Sequence, residues 1–245
     1  MPHYRLDLAY DGSGFHGFAG QATGVRTVQG VLAEALSRVF RQEVKMVVAG
    51  RTDTGVHARH QVVSFPADRE IPPSQVVRAM TSMLGPEVVA TDCTLVPEGF
   101  SARFDAVSRT YRYHLLDTPV PDPLRRHTTF HVAHVLDVVA MDRAAEQFVG
   151  EHDFASFCRR REGFASTRTV HTAGVRRDED RTVVVEIRAK AFCHQMVRSL
   201  VGFLIEVGRG RRSADEVADV LAARDRSVVP SPAPPTGLVL WHVAY

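Results

Sequence analysis

Apolar Tyr4, Leu6, Leu8 and Tyr10 alternate with Arg5, Asp7 and Ala9, which predicts a half-buried strand stopped by the turn signal Asp11-Gly12-Ser13-Gly14. The period then changes. After the N-cap residue Thr27, the side chains Val28, Val31, Leu32, Ala35, Leu36, Val39 and Phe40 recur at the three- and four-residue steps of one helix face. The apolar runs Val44 to Ala49 and Gln61 to Phe65 predict strands on either side of a turn. Pro72-Pro73 opens a helix over Ser74 to Leu84, and Val88 to Val96 reads as a strand. The order is β-α-β-β-α-β. It recurs from Ser108: a strand over Arg109 to Leu116, a helix over Val138 to Val149 closed by Gly150, strands over Thr169 to Arg176 and Thr182 to Ala191, and a helix over His194 to Val207. An added helix starts at Ser213, with Glu216 spaced as in a capping box, and the chain closes on a strand from Gly237 to Tyr245.

This order predicts an α+β chain of two ferredoxin-like, RRM-like βαββαβ halves, residues 1–103 and 104–245. Their sheets are expected to be mixed and largely antiparallel, with a catalytic cleft between the halves. Such sheets often bind RNA on one face. A length of 245 residues with 44% hydrophobic and 24% charged residues suits such halves. No apolar run is long enough to span a membrane and no signal pattern opens the chain, so a cytoplasmic protein without membrane contact is expected. Cys93, Cys158 and Cys193 are odd in number and contain no CxxC, which predicts reduced, structural thiols rather than a disulfide framework or a thiolate zinc site. The formal charge of +2 is no strong nucleic-acid signature, yet 28 of the 30 basic residues are arginines. Guanidinium forks suit phosphate, although GC-rich coding explains the same bias.

The densest cluster of reactive groups is Gly50-Arg51-Thr52-Asp53-Thr54-Gly55-Val56-His57-Ala58, in the turn between two predicted strands. In an extended backbone Arg51 and Asp53 point the same way, and the guanidinium favours the ionised carboxylate that a nucleophile or base requires. The alternative is an Asx-type turn in which Asp53 caps backbone near Gly55. Asp53, His57 and His60 also have a spacing open to metal ligation, but on a strand the two histidines face opposite ways, which favours surface or hydrogen-bonding roles. Tyr111, Tyr113 and Leu115 share one strand face, as core residues or, for Tyr111, as a ring stacked on a nucleobase with arginines such as Arg109 alongside. At the predicted start of a helix, His194 and Arg198 could touch phosphate, while the apolar residues around them make a buried helix.

Seven stretches together resemble the TruA family of tRNA pseudouridine synthases. They are Tyr10 to Gly17, Thr27 to Gly30, Gly50 to Ala58, Phe100 to Asp105 with Arg109 to Tyr113, Gly150 to Phe154, Met196 to Arg198, and Gly237 to Leu240. The resemblance implies that Asp53 is the catalytic aspartate, that Arg51 pairs with it and helps hold RNA, and that Tyr111 lies against the target uracil. Leu238 falls among the substrate-binding positions. It implies a homodimer that binds tRNA across both subunits and needs neither metal nor organic cofactor. The implied reaction cuts uracil from its ribose, turns it and rejoins it through carbon, at positions 38, 39 or 40 in the anticodon stem-loop. The base must be flipped to be reached, and Arg51 could fill the gap it leaves. One departure is Phe18-Ala19, where the family has Trp-Gln, so that a polar contact there is missing or supplied by Gln21. A rival reading is a non-catalytic RNA-binding or tRNA-folding module, to which the carboxylate at Asp53 would contribute nothing.

Overall fold

Strand β1 (His3–Tyr10) is central to its sheet because its alternating side chains are matched on both edges. It pairs antiparallel with β3 (His57–Pro66) on one side and β4 (Val88–Val96) on the other, and the short β2 (Val47–Val48) pairs antiparallel with β3. The resulting order, β4-β1-β3-β2, is that of a ferredoxin-like sheet. The register sets Tyr4 opposite Phe65 and Leu6 opposite Val63, all fully buried. Tyr4, Phe65 and Phe40 of helix α1 (Val28–Phe40) form a three-ring cluster with centroids 5.1 to 5.4 Å apart. Removing such side chains from water is worth about 1.5–3 kcal/mol each. Thr27 caps α1 as its sequence predicts, its hydroxyl accepting the Gly30 N–H at 3.2 Å. Helix α2 (Pro73–Leu84) starts on Pro73, whose missing N–H costs nothing at that position.

This computed structural model describes every residue except Thr23, Arg160, Arg161, Glu162 and Phe164, and it divides into two units. The second unit, Thr110–Leu238, has a sheet ordered β5-β9-β8-β7, with β5 (Ser108–Leu116), β7 (Gly150–Asp153), β8 (Thr167–Arg177) and β9 (Thr182–Ala189); a short β6 (Phe130–His131) runs parallel beside β5. Helices α3 (Val138–Glu146), α4 (Met196–Gly208) and α5 (Val217–Ala223) complete it. Eleven of the thirteen residues of α4 are buried, so it is the core helix of its unit; Phe203 meets Phe148 and Phe157 edge-on. The predicted capping box forms at Ser213 and Glu216, opening a 3-10 turn ahead of α5.

The α+β class and the element order of the first half are as the sequence predicts, whereas the second half adds the short strands β6 and β7, the latter where Gly150 was expected only to close a helix. Several boundaries differ for local reasons. Of the run Val44 to Ala49 only two residues pair as strand. The helix expected from His194 starts at Met196 because Gln195 sits in the left-handed region, at φ 63°. The closing strand β10 (Leu238–Ala244), expected with the second half, pairs parallel with β3 through Val239–His57 and Leu240–Ala58, and so Val239–Tyr245 completes the first unit, whose other segment is Met1–Arg109. The expectation of three reduced thiols is also corrected. Cys158 and Cys193 form a disulfide, Cα atoms 5.7 Å apart, and Cys93 alone is free and buried. Nothing in a separation of 35 residues announces that pairing. Among the described residues no helix is long and apolar enough to cross a membrane.

Candidate active site

The loop between β2 and β3 is held at nearly every peptide. Ala49 donates its N–H to the Val62 carbonyl at 2.9 Å, and its own carbonyl receives the Arg109 guanidinium at 2.8 and 3.2 Å. The next carbonyl, Gly50, accepts from the Gln61 amide at 2.7 Å. Thr52 is turned inward: its carbonyl takes the Phe18 N–H at 3.0 Å and its hydroxyl lies 2.8 Å from the Tyr10 phenol. Gly55, at φ 77°, donates to the Phe15 carbonyl at 3.3 Å, and Val56 N–H closes the turn on the Asp53 carbonyl at 3.1 Å. Only glycine populates that φ without strain.

The cradle beneath this loop is the segment Tyr10 to Phe18, and its glycines are there for space. A Cβ on Gly12 would run into the Val56 carbonyl, and one on Gly17, at φ 87°, would sit 3.0 Å from the Thr52 carbonyl. His57 is buried, and its Nδ1 accepts the Gly12 N–H at 3.1 Å with Asp11 Oδ1 at the same distance. Burial pushes the Tyr10 phenol up to about 12, so at neutral pH it keeps its proton and anchors Thr52 without exchanging charge. Thr52 is buried, and its two neighbours are less so. Arg51 is exposed and Asp53 half-buried. The backbone on which the Asp53 carboxylate stands is thus fixed in advance by its own hydrogen bonds.

Among the described residues no ion pair joins Arg51 to Asp53. Both residues lie outside β2 and β3, so the chain between them is not the extended strand that sets side chains two apart on one side. The histidines are hydrogen-bonded: His60 accepts the Val243 N–H at Nδ1 and lies 2.8 Å from Asp7 through Nε2. Burial alone would raise the Asp7 carboxyl, but the bonds from His60 and Arg5 outweigh it and hold it below the usual carboxylate range. At the Phe18-Ala19 departure, Phe18 is fully buried, and Gln21 supplies a polar contact by donating to the His16 carbonyl at 2.6 Å. Spacing did not point to Tyr10, Phe15 or Gln61 as holders of the loop. Their signal was present only as a polar group, or a glycine-flanked ring, at the end of an apolar run.

Arg109 closes the first unit and is 8% exposed. The remaining predicted residues lie in the second unit. Tyr111 is buried with its ring edge-on to Phe192, centroids 5.2 Å apart. Tyr113 is a core residue bonded to the Pro234 carbonyl at 2.7 Å. Leu238 opens β10 after Gly237, where a Cβ would stand 2.6 Å from the His114 carbonyl. His194 is exposed just before α4, while Arg198, in its first turn, donates to the Ala233 carbonyl at 2.7 Å.

The family model described as tRNA pseudouridine synthase matches residues 8–105 and 144–245. Among curated relatives, tRNA pseudouridine synthase A of Frankia casuarinae is 46% identical, covering 98% of this chain and 88% of its own. The protein of that name from Listeria monocytogenes is 37% identical over the whole of both chains, and that from Streptomyces avermitilis is 43% identical over 98% of this chain and 87% of its own. Among solved structures, the archaeal box H/ACA sRNP Nop10-Cbf5 complex aligns at 14% identity with a TM-score of 0.34 over 82% of this chain, which spans 44% of that one, and a likeness so slight adds no argument. On the family model and these full-length relatives, the chain belongs to the tRNA pseudouridine synthase family, isomerases that act on tRNA.

Proposed function

We propose that this protein isomerises uridine to pseudouridine in the anticodon stem-loop of tRNA, at positions 38, 39 or 40, with Asp53 as the catalytic carboxylate. The observation that supports this reading best is the Asp53 loop, whose main chain is bonded at Ala49, Gly50, Thr52, Gly55 and Val56 while Arg51 is exposed and Asp53 half-buried. In the reaction the bond from ribose C1′ to N1 breaks, the uracil turns, C1′ bonds to C5, C5 loses its hydrogen as a proton and N1 takes a proton up. A carboxylate adds to the sugar or takes its 2′ proton, and both roles use the ionised form. Tyr111 and Leu238 pack against the uracil, Arg51 holds RNA and fills the space of the flipped base, and His194 and Arg198 approach phosphate. The enzyme works in the cytoplasm as a homodimer.

Release of tritium from C5 of labelled uridine in unmodified tRNA tests this directly, because rejoining through C5 must expel that hydrogen. Wild type is expected to release it, and Asp53→Asn to bind tRNA equally well and release none. Full release by Asp53→Asn would overturn the assignment of Asp53; binding without release by either would leave an RNA-binding module.

A further inference from the structure

The Arg109 guanidinium donates to three main-chain oxygens. Nε and Nη2 both donate to the Ala49 carbonyl, at 3.2 and 2.8 Å, Nη2 also to the Arg103 carbonyl at 2.6 Å, and Nη1 to the Ala106 carbonyl at 3.3 Å. The Ala49 carbonyl belongs to the peptide that leads into Gly50, the root of the Asp53 loop. The peptide before it is already fixed, since the Ala49 N–H donates to the Val62 carbonyl of β3. Three acceptors from positions 49, 103 and 106 therefore converge on one planar fork. Lysine, a point charge with freely turning donors, does not reproduce that geometry, whereas at a phosphate contact it does well.

Resting on the function proposed above, we infer that Arg109 is a positioning residue of the catalytic loop: it clamps the Ala49 carbonyl against those of Arg103 and Ala106, and so fixes where Asp53 stands, without touching RNA. Gln61, on the next carbonyl, and Phe18, on Thr52, hold the loop farther along; Arg109 holds its hinge. The clamp also ties that hinge to the segment carrying Phe104, which is 78% exposed.

Arg109→Lys and Arg109→Ala in the full-length protein separate this role from an RNA contact. Hydrogen exchange in free protein is expected to speed up in peptides spanning residues 49–57 and to stay unchanged over α2. With tRNA, single-turnover tritium release is expected to fall about 30-fold or more in both variants with KM within twofold, and ethylguanidinium is expected to restore part of the rate to Arg109→Ala. Val76→Ala, a truncation in α2 far from the loop in sequence, is the control for lost stability. If Arg109→Ala does not fold, Arg109→Lys, which keeps charge and stem, carries the measurement. Unchanged exchange over 49–57, an effect on KM and salt dependence alone, full activity in Arg109→Lys, or an equal loss of rate in Val76→Ala at matched thermal stability would each overturn the inference. Silence of the wild type in the release assay would instead overturn the function, and the exchange result would still decide whether Arg109 holds the loop.

Discussion

The Thr52 hydroxyl and the Tyr10 phenol stand 2.8 Å apart, both buried, and this single contact ties the residue before Asp53 to the end of β1. Removing the phenol strands the Thr52 hydroxyl. Tyr10→Phe is expected to cost about 1–3 kcal/mol, the usual toll of an orphaned buried hydroxyl. It should slow tritium release while leaving tRNA affinity unchanged. In the double variant with Thr52→Val both polar groups vanish together, so its loss of stability should be smaller than the sum of the singles. Additive losses in a denaturant-melt cycle would show that the two side chains are not coupled.

Gly12→Ala is expected to destabilise by about 1–3 kcal/mol, because the obstruction is the Val56 carbonyl and main chain cannot step aside as a flexible side chain does. Gly99→Ala meets nothing within 4 Å and is expected to stay within about 0.5 kcal/mol of wild type. Thermal melts of the two variants compare them directly, and equal melting temperatures would contradict the close approach at Gly12.

The Cys158–Cys193 bond closes a loop of 35 residues, for which chain entropy gives about 4 kcal/mol. Cys158→Ser with Cys193→Ser should therefore lower Tm by about ten degrees in a chain of this size. Unfolded without reductant, the wild-type chain should take up one equivalent of alkylating agent, at Cys93; after reduction it should take up three. Three equivalents without reductant would dispose of the bond.

Asp117 accepts a two-point fork from Arg177 at 2.6 and 2.7 Å and the Leu136 N–H at 2.9 Å. Burial alone would raise its carboxyl, but these bonds outweigh burial and hold it below the ordinary value. A carboxylate lowered in the folded state binds its proton first in the unfolded chain. The stability it lends is thus complete above the ordinary carboxylate range near pH ~3.9 and is lost as pH falls through that value and below. Asp117→Asn should be less stable than wild type at pH 7, with the difference shrinking towards acid. A gap between the two melting curves that holds constant into acid would contradict the lowered carboxyl.

Much of the scaffold was legible because its signals are local. Thr27 and the stripe from Val28 to Phe40 specify a capped helix without help from elsewhere, and the alternation from Tyr4 to Tyr10 specifies which side of β1 is buried. Glycine density marked the Asp53 loop. A guanidinium beside aromatic residues, as at Arg109, is a pattern silent about burial. The acceptors of Arg109 at positions 49, 103 and 106 come together only once the chain has folded. The same holds for Cys158 and Cys193, whose spacing follows no pattern, and for β10, whose sequence says strand but not which edge it joins. The pairing of Arg51 with Asp53 was conditional on an extended backbone, and both residues lie in the loop between β2 and β3.

That β10 joins β3 has a consequence for how the molecule is made. A ribosome releases residues 1–109 and must then synthesise all of Thr110–Leu238 before Val239–Tyr245 can emerge to complete the first unit. At about 5–20 residues per second this interval is on the order of ten seconds. Throughout it the β3 edge beside His57 and Ala58 lacks its parallel partner, so the loop that carries Asp53 is flanked by an open strand edge in the nascent chain. The first unit to be translated is therefore the last to be finished, and a nascent chain halted inside the second unit exposes, next to the loop of Asp53, the kind of unpaired edge on which other chains aggregate.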